Sequence, residues 1–417
     1  MSAVMKKEVK ESWKTPAIMG SIALVVFVFL GILGRPANVS FQLSGPKELV
    51  QLGSLDLSSQ FLGTVSGVIL LLISSVVAFQ VKKNVKVSIW YSLLFGAISL
   101  VALLGWLAAD NVVPVAFILG AALVLSVPIA LGAMAGVMSE RVGVVNIAIE
   151  GQLLTGAFVA AVVSTITGNQ IVGLISAMIT ASLFSALLAV MAIRYLAQQI
   201  IVGVVLNVLA IGITNFLYQQ WLVESESTLN YPGTLPIIAV PFLSDIPILG
   251  PVFFQNRITV FLSIGIVILL WFVLFKTKLG LRARSVGENP LAADTVGINI
   301  GRTRFWWVTI GGLLAGLGGA TLTIGGSGSF GPEMSGGLGF IALAVLILGR
   351  WHPIYASAAA LLFGFSIILR IWANQVSPGI PSDFIIMVPY LVTLIAVVGF
   401  VGRSRPPAAD GIPYVKG

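Results

Sequence analysis

Two carboxylates are the residues whose type and setting best suit them to chemistry: Glu150, near the end of SERVGVVNIAIEG (139–151), and Glu333, within GGSGSFGPEMSGG (325–337). Both lie in glycine-flanked sequence beside long apolar runs. An ionisable group at membrane depth is costly enough to count as a functional candidate, and irregular backbone is tolerated there only where protein or a watery cavity surrounds it. Transporters build solute sites in this way. Asn146, Glu150 and Gln152 can line one wall of such a site, and Phe330, Glu333 and Ser335 another. Glu150 can equally be a structural partner of Arg141 or an interfacial carboxylate, and Glu333 can sit near an outer mouth. Asn207 and Asn215 fall two turns apart on nearly one face of an apolar run, where an amide either ties helices together or reads a polar solute.

The chemistry on offer is hydrogen bonding and proton exchange, not bond breaking. The chain has no cysteine and a single histidine, His352, which removes thiolate metal sites and cysteine nucleophiles and argues against histidine metal sites and triads. No residue is assigned a catalytic or metal-binding role. No stretch matches GxxxxGK[ST], so any ATP energy comes from another chain. The net charge of +8 does not point to nucleic acid, because the basic residues sit in short loops beside apolar runs.

The elements that must position these residues are membrane helices. Hydrophobic residues make up 58% of the chain and charged ones 9%, where soluble chains have about a quarter charged. Apolar runs near the ~20 residues that span the hydrocarbon recur along almost the whole length, without the alternation of barrel strands. The expected fold is therefore all-α: a polytopic transmembrane bundle of about 11–12 spans with discontinuous helices and both termini inside. Expected spans cover residues 15–33, 61–80, 87–109, 112–138, 153–166, 171–193, 200–222, 259–275, 305–324, 354–372 and 384–402, and residues 325–348 form a span or a re-entrant segment with a half-helix. Pro128, Gly132 and Gly136 predict a break or kink in the fourth span. The first apolar run reads as an uncleaved anchor. In this arrangement all of the 23 Lys and Arg fall inside except Arg35, Lys47, Arg257 and Arg370, as the positive-inside rule requires.

The longest polar interruption in the C-terminal half, LGLRARSVGENPLAADTVGINIGRTR (279–304), is too polar to cross a bilayer. Asn289 and Pro290 read as the N-cap and first residue of a short helix that stops near Gly297. Small residues beside an arginine cluster make it a docking element. The run Gly311, Gly312, Ala315, Gly316 and Gly319 is a surface for close helix packing.

From about residue 115 to 402 the chain resembles the permease subunits of bacterial ATP-binding-cassette importers of the branched-chain amino acid, ribose and nucleoside group, and most of all the nucleoside-type permeases. The stretches that carry the resemblance are 139–151, QQIIVGVVLN (198–207), GLRARSVGENPLAADTVGI (280–298) and FGPEMSGGLGFIALAVLILGRWHP (330–353). It implies a permease core at 111–402 with a cytoplasmic coupling loop at 277–303. An N-terminal extension of about three helices (1–110) departs from the group's compact pattern, and a cytoplasmic tail (403–417) follows. It implies coupling residues Arg284, Gly287, Glu288, Asn289, Pro290, Ala292, Ala293 and Gly297. The substrate pathway it suggests comprises Asn146, Glu150, Gln152, Asn207, Phe330, Glu333 and Phe340. The implied partners are a cytoplasmic ATPase that holds the ATP and Mg, a second and different permease subunit, an external substrate-binding lipoprotein and membrane lipid, with no nucleic acid and no cofactor on this chain. The setting is the bacterial plasma membrane. A ribose or simple-sugar permease, a proton-coupled secondary transporter and a membrane-embedded enzyme are the rivals.

Overall fold

Most of the apolar runs become helices, and the computed structural model describes the chain over residues 13–45, 48, 51–376, 387 and 405–415. In chain order these are α1 (Lys14–Ile32), β1 (Asn38–Gln42), β2 (Ser54–Ser58), α2 (Ser59–Lys82), α3 (Ile89–Leu107), β3 (Val112–Pro114), α4 (Val115–Glu140), α5 (Ile149–Thr167), α6 (Gln170–Ile193) and α7 (Gln199–Leu222). There follow β4 (Ile237–Ala239), β5 (Gln255–Arg257), α8 (Ile258–Lys276), α9 (Lys278–Glu288), α10 (Pro290–Thr295), α11 (Ile300–Ser327), α12 (Leu338–Leu348) and α13 (Pro353–Val376). Among the described residues, 10 helices are long and apolar enough to cross a membrane, and α12 is a shorter apolar helix. The chain is a multi-pass membrane protein. The expected span at 384–402 and the basic residues Lys6, Lys7, Lys10, Lys47, Arg403 and Lys416 lie outside the described residues.

Two compact units form, residues 1–118 with 369–388 and residues 119–368 with 389–417. In the first, α1, α2 and α3 close around Met19, Ala23, Leu70, Val77 and Phe95. Its sheet has the order β2-β1-β3, with Ser40 opposite Asp56 in the antiparallel pair and Phe41 opposite Val113 in the parallel pair. In the second, α5, α6 and α11 pack so closely that side chains are excluded at the crossings. A Cβ on Gly316 would strike the Ala177 carbonyl and Met178 of α6, and one on Gly156 would meet Gly316 itself. Ser185 and Ser182 donate from α6 to the carbonyls of Val308 and Thr309 at 2.8 and 2.9 Å. The small residues of α11 thus serve packing, as the sequence pattern implies.

Three expectations change. Helix α4 runs unbroken through Pro128. The break comes after it, at residues 141–148, so Glu150 and Gln152 stand in the first turn of α5 and not in unwound chain. The coupling segment holds two helices, α9 and α10, where one was expected. Residues 325–348 resolve into the end of α11, a turn at 328–337 and the half-helix α12, whose 11 residues extend ~16 Å against ~30 Å of hydrocarbon.

Candidate functional site

The site begins at the α4–α5 elbow, residues 141–148, where backbone leaves helical order and needs partners. Side-chain amides supply them. The Val145 N–H donates to Gln199 Oε1 at 2.7 Å. Asn146 Oδ1 accepts the Ala148 N–H at 3.1 Å and so turns the chain into α5, while Asn146 and Gln152 exchange hydrogen bonds at 3.2 and 3.3 Å. Asn207, on α7, donates to the Ile147 carbonyl and accepts from the Gly151 N–H, both at 2.8 Å. All four amides are buried, and Gly203 lets α7 lie against Ile147 without a side chain between them. Asn146, Gln152 and Asn207 are therefore engaged inside the protein in this conformation.

Glu150 is likewise buried, but its partner is not Arg141. Its Oε1 accepts from Ser335 Oγ at 2.7 Å and the Gly337 N–H at 2.8 Å, and its Oε2 accepts the Gly339 N–H at 2.6 Å. A carboxylate from α5 thus caps the N-terminus of the half-helix α12, where free N–H groups and the helix dipole favour negative charge. Gly339 is needed there because a Cβ would collide with the Glu150 backbone. Arg141 points the other way and donates to the Trp351 carbonyl at 2.9 Å.

Upstream of α12, Phe330 is 2% exposed and lies edge-on to Phe158 at 5.2 Å. Asn230 clamps its backbone, accepting its N–H at 2.7 Å and donating to its carbonyl at 2.9 Å. Glu333 and Phe340 are different. Glu333 is exposed in a left-handed conformation (φ 51°) and accepts from Asn215 Nδ2 at 3.2 Å. Asn215 Oδ1 is left without a partner. Phe340, on the first turn of α12, is 51% exposed. The structure thus joins Asn146, Gln152 and Asn207 in one network, ties Glu150 to α12, and leaves Glu333 and Phe340 on the surface of this chain.

The second candidate region is the coupling segment. Thr277 caps α9 through the Gly280 N–H at 3.2 Å, Asn289 caps α10 through the Ala292 N–H at 3.0 Å, and Asn299 caps α11 through the Arg302 N–H at 2.9 Å. Pro290 takes the first helical position and Gly297 (φ 82°) follows the stop. Ala283, Val286, Gly287 and Ala293 face inward, and Gly287 abuts the Arg141 carbonyl with no room for a Cβ. Leu291 and Val296 face outward, 68% and 74% exposed. Arg284 lies over the Phe275 ring at 5.1 Å, and His352 stacks on the same residue at 4.8 Å and on Tyr355 at 4.4 Å. Burial, and after it the charge of Arg141, pulls the His352 imidazole below its usual range. A groove lined by Arg282, Val296, Gly297, Asn299, Arg302 and Thr303 runs beside α10.

Sequence reasoning missed a third group. Glu140, Arg304 and Asp410 come together beneath the elbow, and residues 405–415 are folded onto it. A charged pair at a span end (Glu140-Arg141) and a tail made of small and rigid residues, PPAADGIPY (406–414), are the available signals.

A family model described as "Branched-chain amino acid transport system / permease component" matches residues 118–397. The chain is 41% identical to the guanosine ABC transporter permease protein NupQ of Bacillus subtilis, over 74% of this chain and 99% of that one. It is 40% identical to the nucleoside ABC transporter permease protein NupC of Lactococcus lactis, over 70% of this chain and 95% of that one. It is 34% identical to the putative glucose ABC transporter permease protein TsgC13 of Haloferax volcanii, over 59% of this chain and 74% of that one. No solved structure matches.

Proposed function

The chain belongs to the branched-chain amino acid transport system permease family, and from that premise we propose that it is the membrane-spanning subunit of an ATP-driven importer whose cargo is a neutral nucleoside. The observation that carries the cargo class is Glu150. Half-helix N-termini in transporters commonly receive an anionic group of the substrate. Here the chain's own carboxylate fills that position with three hydrogen bonds, so an amino acid's carboxylate has no welcome there. A nucleoside carries no charge and asks for an aromatic surface and hydrogen bonds to its ribose. Phe340 and Glu333, the latter bonded by the half-buried Asn215, are the groups of that kind next to α12. Asn146, Gln152, Asn207 and Phe330 set the wall behind them.

In this reading α9 and α10 receive a separate cytoplasmic ATPase, which holds ATP and Mg while this chain binds neither. Leu291 and Val296 seat in that motor, with Arg284, Gly287, Glu288, Asn289, Pro290, Ala292, Ala293 and Gly297 shaping the seat. A second, non-identical permease subunit completes the pathway, and an external lipoprotein delivers cargo at the bacterial plasma membrane. Closure of the motor displaces the coupling segment, and the elbow packed against Gly287 carries that motion to α4 and α5.

The test is uptake by proteoliposomes holding the whole transporter, offered labelled guanosine, glucose or leucine with and without internal ATP. Guanosine should enter with ATP and be indifferent to an uncoupler. Preference for leucine would overturn the cargo class, and uptake abolished by the uncoupler without need of ATP would replace the importer with a proton-coupled carrier. A second reading, a simple sugar as cargo, has the Haloferax relative in its favour, and preferential glucose uptake would establish it.

A further inference from the structure

Residues 405–415 are held at five places. The Ala409 N–H donates to the Gly287 carbonyl at 2.8 Å, and the Ala408 N–H to Glu288 Oε2 at 3.3 Å. The Ile412 carbonyl accepts from Arg304 Nη1 at 3.0 Å. The Tyr414 hydroxyl bonds Asp294 at the end of α10, and its ring packs on the cluster that includes Val142, Val144, Ala283 and Val286. Finally the Asp410 carboxyl lies beside that of Glu140, which accepts the Trp351 indole N–H.

These contacts reach α9, α10, the start of α11 and the end of α4. The fit is close: Ala409 is buried, and a Cβ on Gly143 (φ 84°) would press on the Ala409 carbonyl and Arg304 Nη2, both at 2.8 Å. The acidic pair is balanced by chemistry. The Arg304 guanidinium is the cation that faces Asp410 and offsets its charge. Pro406 and Pro407 stiffen the approach and lower the entropy lost on binding.

We propose that residues 405–415 are a positioning strap that holds the coupling helices α9 and α10 in register with the α4–α5 elbow, so that displacement by the motor moves elbow and helices as one body. The proposal rests on the reading of residues 277–303 as the coupling loop. The strap leaves Leu291 and Val296 open, so it positions the seat without occupying it.

The experiment compares the intact transporter in proteoliposomes with one whose permease ends after residue 404, measuring guanosine uptake and ATP hydrolysis in the same vesicles. Without the strap, the motor should stay bound and hydrolyse ATP, while cargo moved per ATP falls about tenfold at unchanged half-saturating guanosine. An unchanged ratio overturns the proposal. If the shortened chain does not accumulate, Ala409→Trp, which cannot fit beside Gly287, is measured the same way, and a full ratio in that variant overturns the proposal equally. Asp410→Asn, which offers Glu140 an amide donor, should hold the ratio where Asp410→Leu lowers it; equal ratios in these two would reduce the strap to inert filling. Lack of ATP-dependent uptake in the intact transporter is a different failure, that of the importer reading, and removes the strap's role with it.

Discussion

The elbow at 141–148 and the coupling segment at 277–303 both interrupt helical order, and they are built in opposite ways. The elbow has one local side-chain cap, Asn146 on the Ala148 N–H, and is otherwise held from outside, by Gln199 and Asn207 on α7 and Gln152 on α5. The coupling segment caps itself, with Thr277, Asn289 and Asn299 each bonding an N–H three residues on. The cause is the solvent. In the buried elbow no water satisfies a stray N–H, so the irregular segment survives only when fixed by tertiary contacts. In water, local caps suffice and the outer face stays free for a partner. The elbow is thus a fixed joint, the segment at 277–303 suits the docking plate proposed for it, and residues 405–415 bind to both.

The comparison breaks first where its buried side is attacked. Replacing Glu150 with Leu removes the acceptor for Ser335, Gly337 and Gly339 and leaves three donors in the interior. At 1–3 kcal/mol for each stranded group, a loss of more than ~3 kcal/mol is expected, read as a lowered melting temperature of the detergent-solubilised transporter. Glu150→Gln, which keeps one acceptor oxygen, should lose less. Asn207→Leu comes next. It strands the Gly151 N–H and the Ile147 carbonyl and should destabilise by ~2 kcal/mol in the same measurement. Melting temperatures at wild-type level in both variants would mean that the elbow is not the fixed joint described.

What was legible in the sequence follows the same division. Asn289-Pro290 announced a helix start and the α11 glycines a packing face, because each is decided by residues within a turn or two or by a regular spacing. The partner of Glu150 was not legible, since it lies 185–189 residues away and a carboxylate's sequence neighbours do not reveal which helix end it caps. Asn146, Gln152 and Asn207 were recognised as amides at depth, but glue and solute contact look alike until the partners are known. The tail read as a polar end because its binding depends on the fit of Ala409 and on Asp410 meeting Glu140, both long-range.

A smaller effect tests the strap's seat between these regions. Burial raises the Asp410 carboxyl from its ordinary range to about 7, with Glu140 and the Arg304 guanidinium the charged groups facing it. The folded protein therefore keeps a proton that the unfolded chain releases near pH 4. The contribution of this carboxyl to stability is fully present below that pH and is lost as pH rises toward about 7, with a slope no steeper than ~1.4 kcal/mol per pH unit for its one proton. Asp410→Asn should flatten the profile between those values. A profile unchanged by the substitution would separate the carboxyl pair from the strap's hold.

The least costly change falls on the docking plate. Asn289→Ala deletes the cap of α10 and should lower stability by ~1 kcal/mol, because one exposed N–H loses its acceptor to water and nothing is stranded in the interior. Leu291→Asp should cost less still, since that side chain already faces solvent. Their functional effects run in reverse order: Leu291→Asp places a charge in the centre of the proposed motor seat and should release the ATPase from membranes, while Asn289→Ala should only weaken its hold. The comparison is sharpest here, for at the elbow loss of function and loss of stability rise together, and on the plate they separate. A Leu291→Asp transporter that retains its ATPase and imports guanosine at the normal rate would show that the exposed apolar face of α10 is not where the motor pushes.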